Sequence, residues 1–459
     1  MAGTAVKAPG GALTAHEGVP RRQSAREPSA RTYARSLPIV PVRARGLTIE
    51  GADGRRYLDC LSGAGTLALG HHHPVVLEAI RRVLDSGAPL HVPDVATPVE
   101  EAFVAELVRN LPPGLARHAR VRFCGPSRTD ALDAAVRLAG AATGRSRVPA
   151  VTGTHPGAPG AGRTGRTGRP TYAGGRPLPF EVGVDGHEDR HEDEYADEGE
   201  LDAGRAGSGL AGPRPGAQPP AGVLVEPVRG DGGAPHLSDT WLRRLRHFTA
   251  ARSLPLVLDE SATGMGRTGA FWGVEHSGIT PDAMVFSEAI GGGLPLAVVV
   301  HRDDLGAWDP DTLDRAFRGN QLAMAAGRAT LAHIRENRLV EHAARLGSRM
   351  LAQLRDVSAR LGCVGDVRGR GLMIGIEMTD PTGESTAAAR ARRPRELAAS
   401  VRSECLRRGL IVDVGGRHGN VVRLLPPLTI SEEQASAVLD RLADAVRAVA
   451  RALPDGERT

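Results

Sequence analysis

Short apolar runs divide the middle of this chain into strand-sized segments. They are Val121–Cys124, Val223–Val225, Pro255–Leu258 and Ala283–Phe286. Runs of this kind suit strands that are covered on both faces, as in a parallel sheet with helices on either side. A helical spacing of apolar residues follows the first run, from Ala131 to Ala139. The pattern predicts a doubly wound α/β domain, which binds its ligands at the carboxyl ends of the strands.

The flanking sequence predicts two further regions. Short strands are expected between residues 36 and 70, and helices over 74–90 and 96–112. From about residue 325, a helical stripe, a strand at Gly371–Ile376 and a helix after the N-cap Ser431 indicate a smaller α/β domain. We therefore expect an N-terminal arm with small-domain strands (1–70), a large domain (71–324) and a small C-terminal domain (325–459).

Residues 153–222 interrupt the large domain. The segment is rich in Gly, Pro and Arg and then becomes acidic, a composition that cannot form a packed core. It predicts a divergent, flexible loop. His187 and His191 have a spacing that could suit a metal on a helix, but a solvated acidic loop is the favoured interpretation. No metal site is predicted.

Composition excludes several classes of protein. The net charge is +5, but the arginines are scattered among acidic residues and aromatic residues make up only 3% of the chain. Nucleic-acid binding needs a clustered basic face and is not expected. No apolar stretch is long enough for a membrane helix. The four cysteines form no CxxC pair, and without a secretory signal they indicate a reduced, cytoplasmic protein.

Several longer segments carry a family resemblance. They are Glu27–Pro38, Asp59–His71, Gly125–Ala131, Glu226–Gly233, Asp259–Gly269, Ser287–Pro295, Phe317–Gly327 and Gly415–Leu428. Together these segments resemble the class III aminotransferases that depend on pyridoxal phosphate (PLP), and they are most similar to the diaminobutyrate–2-oxoglutarate aminotransferases. The resemblance covers about residues 25–150 and 222–450. It implies the fold type I of PLP transferases, with a mixed sheet, and a homodimer whose pocket lies at the interface.

The resemblance also implies the residues of a cofactor site. Asp259 matches the carboxylate that faces the pyridine nitrogen of PLP and keeps it protonated. Ser127, Arg128 and Thr129 lie in the phosphate loop, where the family has glycine at position 128. The bulky Arg128 side chain either binds the phosphate by its charge or fills the pocket. Ala262 stands where the family has a glutamine near the PLP hydroxyl.

Two further residues are assigned to the substrate side by the same resemblance. Arg423 matches the arginine that clamps the carboxylate of a small amino or oxo acid, for which a planar guanidinium is well suited; a surface ion pair is the alternative in a chain so rich in arginine. Glu226 matches a glutamate on the substrate side, and a loop cap is the equal alternative for it. In the family reaction, an amino group passes from 2,4-diaminobutyrate to a 2-oxo acid.

Glu288 occupies the position of the family's catalytic lysine. That lysine forms a Schiff base with PLP and then moves a proton, whereas a carboxylate cannot form an imine. Lys7, in the polar N-terminal arm, is the only lysine in the chain. We therefore expect no covalently held PLP and no ordinary transamination.

Other positions expected in the cofactor shell also differ from the family. Thr154 stands in place of the stacking aromatic residue, and Ala316 in place of a threonine that reaches the partner's phosphate. These changes argue that PLP binding itself has not been kept. Three hypotheses remain open: a degenerate homologue with a structural or regulatory role, an enzyme repurposed to use Glu288, His155 and Asp259 as acid–base groups, or an enzyme that holds its cofactor non-covalently.

Overall fold

The computed structural model describes residues 37, 39–92, 95–145, 161–162, 171–172, 220–228, 237–306, 318–359, 361–380, 387–416 and 418–453. The strands are β1 Pro41–Arg45, β2 Thr48–Gly51, β3 Arg56–Asp59, β4 Ala119–Phe123, β5 Ala161–Gly162, β6 Thr171–Tyr172, β7 Val223–Val225, β8 Leu256–Asp259, β9 Ala283–Phe286, β10 Val298–Arg302, β11 Val364–Arg370, β12 Met373–Met378, β13 Leu410–Ile411, β14 Asp413–Gly415 and β15 Val421–Leu424.

The α-helices are α1 Pro74–Asp85, α2 Pro98–Arg109, α3 Pro113–Ala116, α4 Arg128–Thr143, α5 Asp239–Ala251, α6 Gln321–Glu336, α7 Leu339–Ser358, α8 Ala387–Arg407 and α9 Glu432–Arg451. Short 3₁₀ helices span Gly273–Ser277, Glu288–Gly291 and Asp303–Leu305. None of the helices in the described part of the chain is long and apolar enough to cross a membrane.

The central sheet has the order β4-β10-β9-β8-β7. Strands β7, β8 and β9 are parallel to one another, whereas β10 is antiparallel to both β9 and β4. Each predicted apolar run forms a strand of this sheet; β7, β8 and β9 are fully buried, whereas β4 at the sheet edge is half-buried. The mixed α/β architecture is confirmed. Because β4 and β9 are both antiparallel to β10, they run in the same direction. The carboxyl ends of β4, β7, β8 and β9 therefore lie along one edge of the sheet.

The N-terminal strands pair with the C-terminal part of the chain. One smaller sheet has the order β1-β2-β3-β13, and β13 pairs in parallel with β3. A second has the order β11-β12-β15-β14. The predicted capping box is present at α9, where Ser431 accepts a hydrogen bond from the Gln434 backbone N–H. The domain boundaries at 70 and 324 stay a prediction.

Main-chain hydrogen bonds hold the loop between β3 and α1 against the chain that follows β15. The Leu425 N–H donates to the Cys60 carbonyl (2.7 Å), and the Leu428 N–H donates to the Ala68 carbonyl (2.8 Å). Buried side chains from the central sheet and from the C-terminal helices belong to one continuous apolar core. This packing brings residues 60–68 and 425–428 into fixed contact beside the edge of the sheet.

Candidate functional site

Four charged side chains lie where strands of the central sheet end. Arg128 is the first residue of α4, which follows β4, and Glu226 comes directly after β7. Asp259 is the last residue of β8, and Glu288 begins the 3₁₀ helix that follows β9. Since these strands end at the same edge, side chains far apart in sequence meet there, as expected for an α/β sheet.

The Arg128 guanidinium contacts two of these carboxylates. Its Nη2 lies 2.6 Å from Asp259 Oδ2 and 3.0 Å from Glu226 Oε1. Its Nε donates to the same Asp259 oxygen at 2.8 Å. Burial alone would lower the pKa of Arg128, but the carboxylates of Asp259 and Glu226 outweigh it and raise that pKa above its usual value. The three side chains form a buried ionic cluster.

The start of α4 is fixed by its own cap. The Ser127 hydroxyl accepts a hydrogen bond from the Asp130 N–H, and Asp130 in turn accepts one from the Ser127 N–H. Such a reciprocal capping box satisfies helix N–H groups that otherwise lack partners. Ser127 and Thr129 are exposed at this helix end. Arg128 is therefore held at the first helical position, with its side chain directed at the carboxylates.

Glu288 presents a largely buried carboxyl group to this cluster. Burial raises its pKa, whereas the positive charges of Arg128, Arg267 and Arg423 oppose the rise. Among the described residues, none forms a hydrogen bond or an ion pair with the Glu288 carboxylate. Its backbone has φ +57°, in the left-handed region that costs a non-glycine residue about 1–2 kcal/mol. Strain of this kind is often found at functional sites.

Arg267 is a site residue that the sequence did not single out. It is only 2% exposed, and it donates to the carbonyls of Gly65 (2.9 Å) and Pro426 (3.2 Å). Burial lowers its pKa to about 10, and Glu288 works against that shift. The one sequence feature that could have pointed to Arg267 as a site residue is its position inside the glycine-rich segment 259–269. Arg267 ties the loop after β3 and the segment after β15 to the candidate site.

The remaining predicted residues are placed as follows. Arg423 lies on β15 and forms an ion pair with Asp413 on β14, a partner for which the sequence gives no signal. Its charge nevertheless acts on Glu288. Ala262 is half-buried in the turn after β8.

Other predictions fall outside the described residues. These are His155, Thr154, Ala316, and the pair His187 and His191. In the part of the chain that the structure describes, no group of His, Cys, Asp and Glu side chains is arranged to hold a metal ion.

Comparison with known proteins assigns the family. The model of the family described as "Aminotransferase class-III" matches residues 29–446. This chain belongs to the class III aminotransferases. Similar proteins include the diaminobutyrate–2-oxoglutarate aminotransferase of Rhizobium meliloti, which is 42% identical over 94% of this chain and 92% of its own length. That of Haemophilus influenzae is 36% identical over 93% and 94%. The predicted family resemblance is confirmed.

Solved structures agree on the fold. An ornithine δ-aminotransferase from Plasmodium falciparum has a TM-score of 0.75 at 21% identity, covering 95% of this chain and all of its own. The ornithine aminotransferase of Toxoplasma gondii, in whose structure PLP partly occupies the active site, has a TM-score of 0.73 at 22% identity over 92% of this chain and 94% of its own. The α/β PLP-transferase fold is thus confirmed.

Proposed function

We propose that this class III aminotransferase has kept the family fold but does not catalyse transamination through a Schiff base. One observation carries the proposal: the Arg128 guanidinium holds Asp259 and Glu226 in a buried ionic cluster. A charged side chain of the protein itself then engages the carboxylate that, by family resemblance, would face the pyridine nitrogen of PLP.

The residues at this place do not fit PLP as the family would hold it. Asp259 Oδ2 already accepts from two nitrogens of Arg128, and Oδ1 accepts from the Ser261 N–H at 3.0 Å. Glu288 offers a carboxylate where an amine would be needed to condense with the aldehyde. The one lysine of the chain, Lys7, lies outside the described residues.

The proposed role is that of a cytoplasmic homodimer that acts as a structural or regulatory partner of other proteins. Relatives that are 42% and 36% identical over nearly the whole chain are named diaminobutyrate–2-oxoglutarate aminotransferases. Retention of that fold around a pocket in which Arg128 already pairs with Asp259 supports a protein that has kept its shape rather than the family's chemistry.

The test measures both catalysis and covalent capture. The purified protein is incubated with PLP, 2,4-diaminobutyrate and 2-oxoglutarate, with the Rhizobium meliloti relative as the positive control. We expect no glutamate above background by mass spectrometry. After borohydride treatment, no residue should carry a PLP adduct. Glutamate formation together with an internal adduct would contradict the proposal. PLP that binds without an adduct would instead favour a non-covalent cofactor.

A lysine-independent acid–base enzyme is the second candidate function. It is favoured by the Glu288 carboxyl, whose pKa is raised by burial and which lies in the field of Arg128, Arg267 and Arg423. A carboxylate in this setting could take a proton from C3 of a 2-oxo acid while a guanidinium binds the acid's own carboxylate.

Deuterium exchange tests this candidate. In D₂O, the protein should exchange the C3 protons of 2-oxoglutarate faster than buffer alone, as followed by NMR. Glu288→Gln should abolish the acceleration, whereas Glu433→Gln, on the exposed start of α9, should keep it. Equal exchange by the protein and by Glu288→Gln would exclude Glu288 as the base.

A further inference from the structure

We infer that the Arg128 guanidinium is a built-in counter-ion of Asp259 that excludes PLP from the pocket, and that Arg128 and Glu288 act as a coupled pair. The inference rests on the proposed function, namely that the chain does not transaminate. It goes further by naming the residue that keeps the cofactor out.

The contacts of Asp259 carry the first step. Its Oδ2 receives both Nε (2.8 Å) and Nη2 (2.6 Å) of Arg128. A protonated pyridine ring offers the same chemistry, one N–H and one positive charge, to the same carboxylate. A guanidinium and a pyridinium cannot both neutralise this buried oxygen. Arg128 has the advantage of being tethered, because it is the first residue of a capped helix.

The charges around Glu288 carry the second step. Glu288 Oε2 lies next to Gly65, where an added Cβ would be 3.9 Å from it, and the Gly65 carbonyl accepts a hydrogen bond from Arg267 (2.9 Å). The positive charges of Arg128, Arg267 and Arg423 favour the ionised form of Glu288, whereas burial and the Asp259 carboxylate oppose it. A lysine at position 288 would place an ammonium group among three guanidinium groups. Removing Arg128 alone would instead leave Asp259, Glu226 and Glu288 as neighbouring carboxylates. Each single change creates a charge imbalance that the other change relieves.

An alternative role for Arg128 is to bind the cofactor phosphate, since it lies in the predicted phosphate loop. The contacts favour exclusion over phosphate binding. Nε and Nη2 are both directed at carboxylates, and two acidic partners would repel a phosphate at the same place. If Arg128 excludes the cofactor, removing it should strengthen cofactor binding; if Arg128 binds the phosphate, removing it should weaken that binding. A binding measurement therefore separates the two roles.

The experiment compares four full-length proteins: the natural chain, Arg128→Gly, Glu288→Lys and the double variant. Non-covalent binding is measured by equilibrium dialysis with 4-deoxypyridoxine 5′-phosphate, which lacks the aldehyde and cannot condense with any amine. Covalent capture is measured with PLP and borohydride, followed by peptide mapping. In that step a lysine amine adds to the aldehyde, a C=N bond forms and water leaves; borohydride then reduces the C=N bond to an amine.

We expect Arg128→Gly to bind the deoxy analogue at least about tenfold more tightly than the natural chain, a factor equivalent to about 1.4 kcal/mol. Ethylguanidinium, which supplies the missing guanidinium and part of its aliphatic chain, should compete with the analogue. PLP should be captured at position 288 in the double variant and at most weakly in Glu288→Lys. Arg128→Ala provides the same comparison if Arg128→Gly does not fold.

Three outcomes would overturn the inference. Arg128→Gly could bind no better than the natural chain, or less well, which would indicate a phosphate role or none. Ethylguanidinium could fail to compete. Glu288→Lys alone could capture PLP as fully as the double variant. Each of these results is compatible with a natural chain that does not transaminate, so the proposed function is judged separately by its own assay.

Discussion

The Arg128 guanidinium lies between the carboxylates of Asp259 and Glu226, and its side chain is 14% exposed while each carboxylate side chain is 4% exposed. Removing charges from water is costly, so a buried ion pair adds little net stability compared with well-packed apolar residues. Loss of one partner is a different matter, because it leaves a buried charge without compensation. The cluster is therefore best tested by removing its members one at a time and together.

Arg128→Met is expected to lower the free energy of unfolding by about 3–5 kcal/mol, because the buried Asp259 carboxylate loses the guanidinium that contacts its Oδ2. Combining it with Asp259→Asn should cost less than the sum of the two single changes, with a coupling energy of about 0.5–3 kcal/mol. Chemical denaturation of the four proteins gives these values.

Arg82→Met is the matched control for this cycle. Arg82 pairs with Glu78 on the exposed face of α1, where the two side chains are 77% and 52% exposed. The expected cost is below about 1 kcal/mol. Additive effects of Arg128→Met and Asp259→Asn would show that the two side chains do not interact in solution.

Glu288 makes stability depend on pH. Burial raises its pKa above the usual 4.5 and outweighs the arginines that oppose it, so the folded protein holds this proton more tightly than the unfolded chain. Its contribution to stability is full below pH 4.5 and is lost as pH rises through the raised pKa. Compared with Glu288→Gln, the natural chain should lose stability as pH rises above 4.5, as measured by denaturation at each pH.

Glu341→Gln is the control for the sign of this effect. The pKa of exposed Glu341 is lowered by a backbone hydrogen bond and by Arg338, so its contribution is present at high pH and is lost on acidification. The natural chain should therefore not lose stability relative to Glu341→Gln as pH rises. If the natural chain instead gained stability relative to Glu288→Gln as pH rises, the arginines would lower the pKa of Glu288 more than burial raises it.

At the scale of elements, α6 packs directly on the short helix that begins with Glu288. A Cβ atom added at Gly327 in α6 would collide with the carbonyl oxygen of Ile290 in that helix. A Cβ at Gly292 would lie 2.7 Å from the Ala326 carbonyl oxygen. Glycine therefore permits a close backbone contact that fixes the position of the site helix.

Gly327→Ala should destabilise the protein, although alanine is a better helix former by about 1 kcal/mol. A backbone carbonyl cannot rotate away as a side chain could, and overpacking typically costs about 1–3 kcal/mol. Hydrogen exchange should also become faster at the amides of residues 288–292. Arg328→Ala, at the exposed neighbouring position, should change stability by no more than about 0.5 kcal/mol. A stabilised Gly327→Ala protein with unchanged exchange would contradict this contact.

The elements themselves could be predicted from sequence because their signals are local. The apolar runs that became β4, β7, β8 and β9 each lie within a few residues, and so does the capping box at Ser431. The Arg128–Asp259 contact could not be predicted, since 131 residues separate the partners and side-chain direction depends on packing. The pairing of Arg423 with Asp413 likewise arises only when β14 and β15 join in one sheet.

At the scale of the whole molecule, the site depends on segments that lie far apart in the described part of the chain, from Gly65 to Pro426. Arg267 joins Gly65 to Pro426 through their carbonyls, and β3 pairs with β13. Sequence motifs marked these segments as related to one family, but they did not show that a buried arginine holds them together. These contacts could not be predicted from sequence, because Arg267 donates to main-chain carbonyls, which every residue has. Only the tertiary fold decides which carbonyls lie within reach of its side chain.

A group of exposed apolar side chains bears on whether two copies of the chain associate. Leu90 and Val95 are large apolar residues that are 47% and 58% exposed, and Leu84 nearby is 50% exposed. The backbone at Leu90 is held in place, since its carbonyl accepts from the Gln321 N–H at 3.0 Å. Apolar side chains presented on a fixed backbone are typical of protein–protein contacts. They support the proposed homodimer.

Light scattering after size exclusion should accordingly give twice the 48.1 kDa chain mass for the natural protein. The double variant Leu90→Arg/Val95→Arg should run at the single-chain mass, because two charges per chain would have to be buried without partners in the interface. Ser348→Arg, on the exposed face of α7, should remain dimeric. The natural protein should also unfold at higher denaturant as its concentration rises, since association stabilises the folded chain by mass action. A natural chain that runs at the single-chain mass would argue against the homodimer, whereas a dimer that persists in the double variant would place its interface elsewhere on the surface.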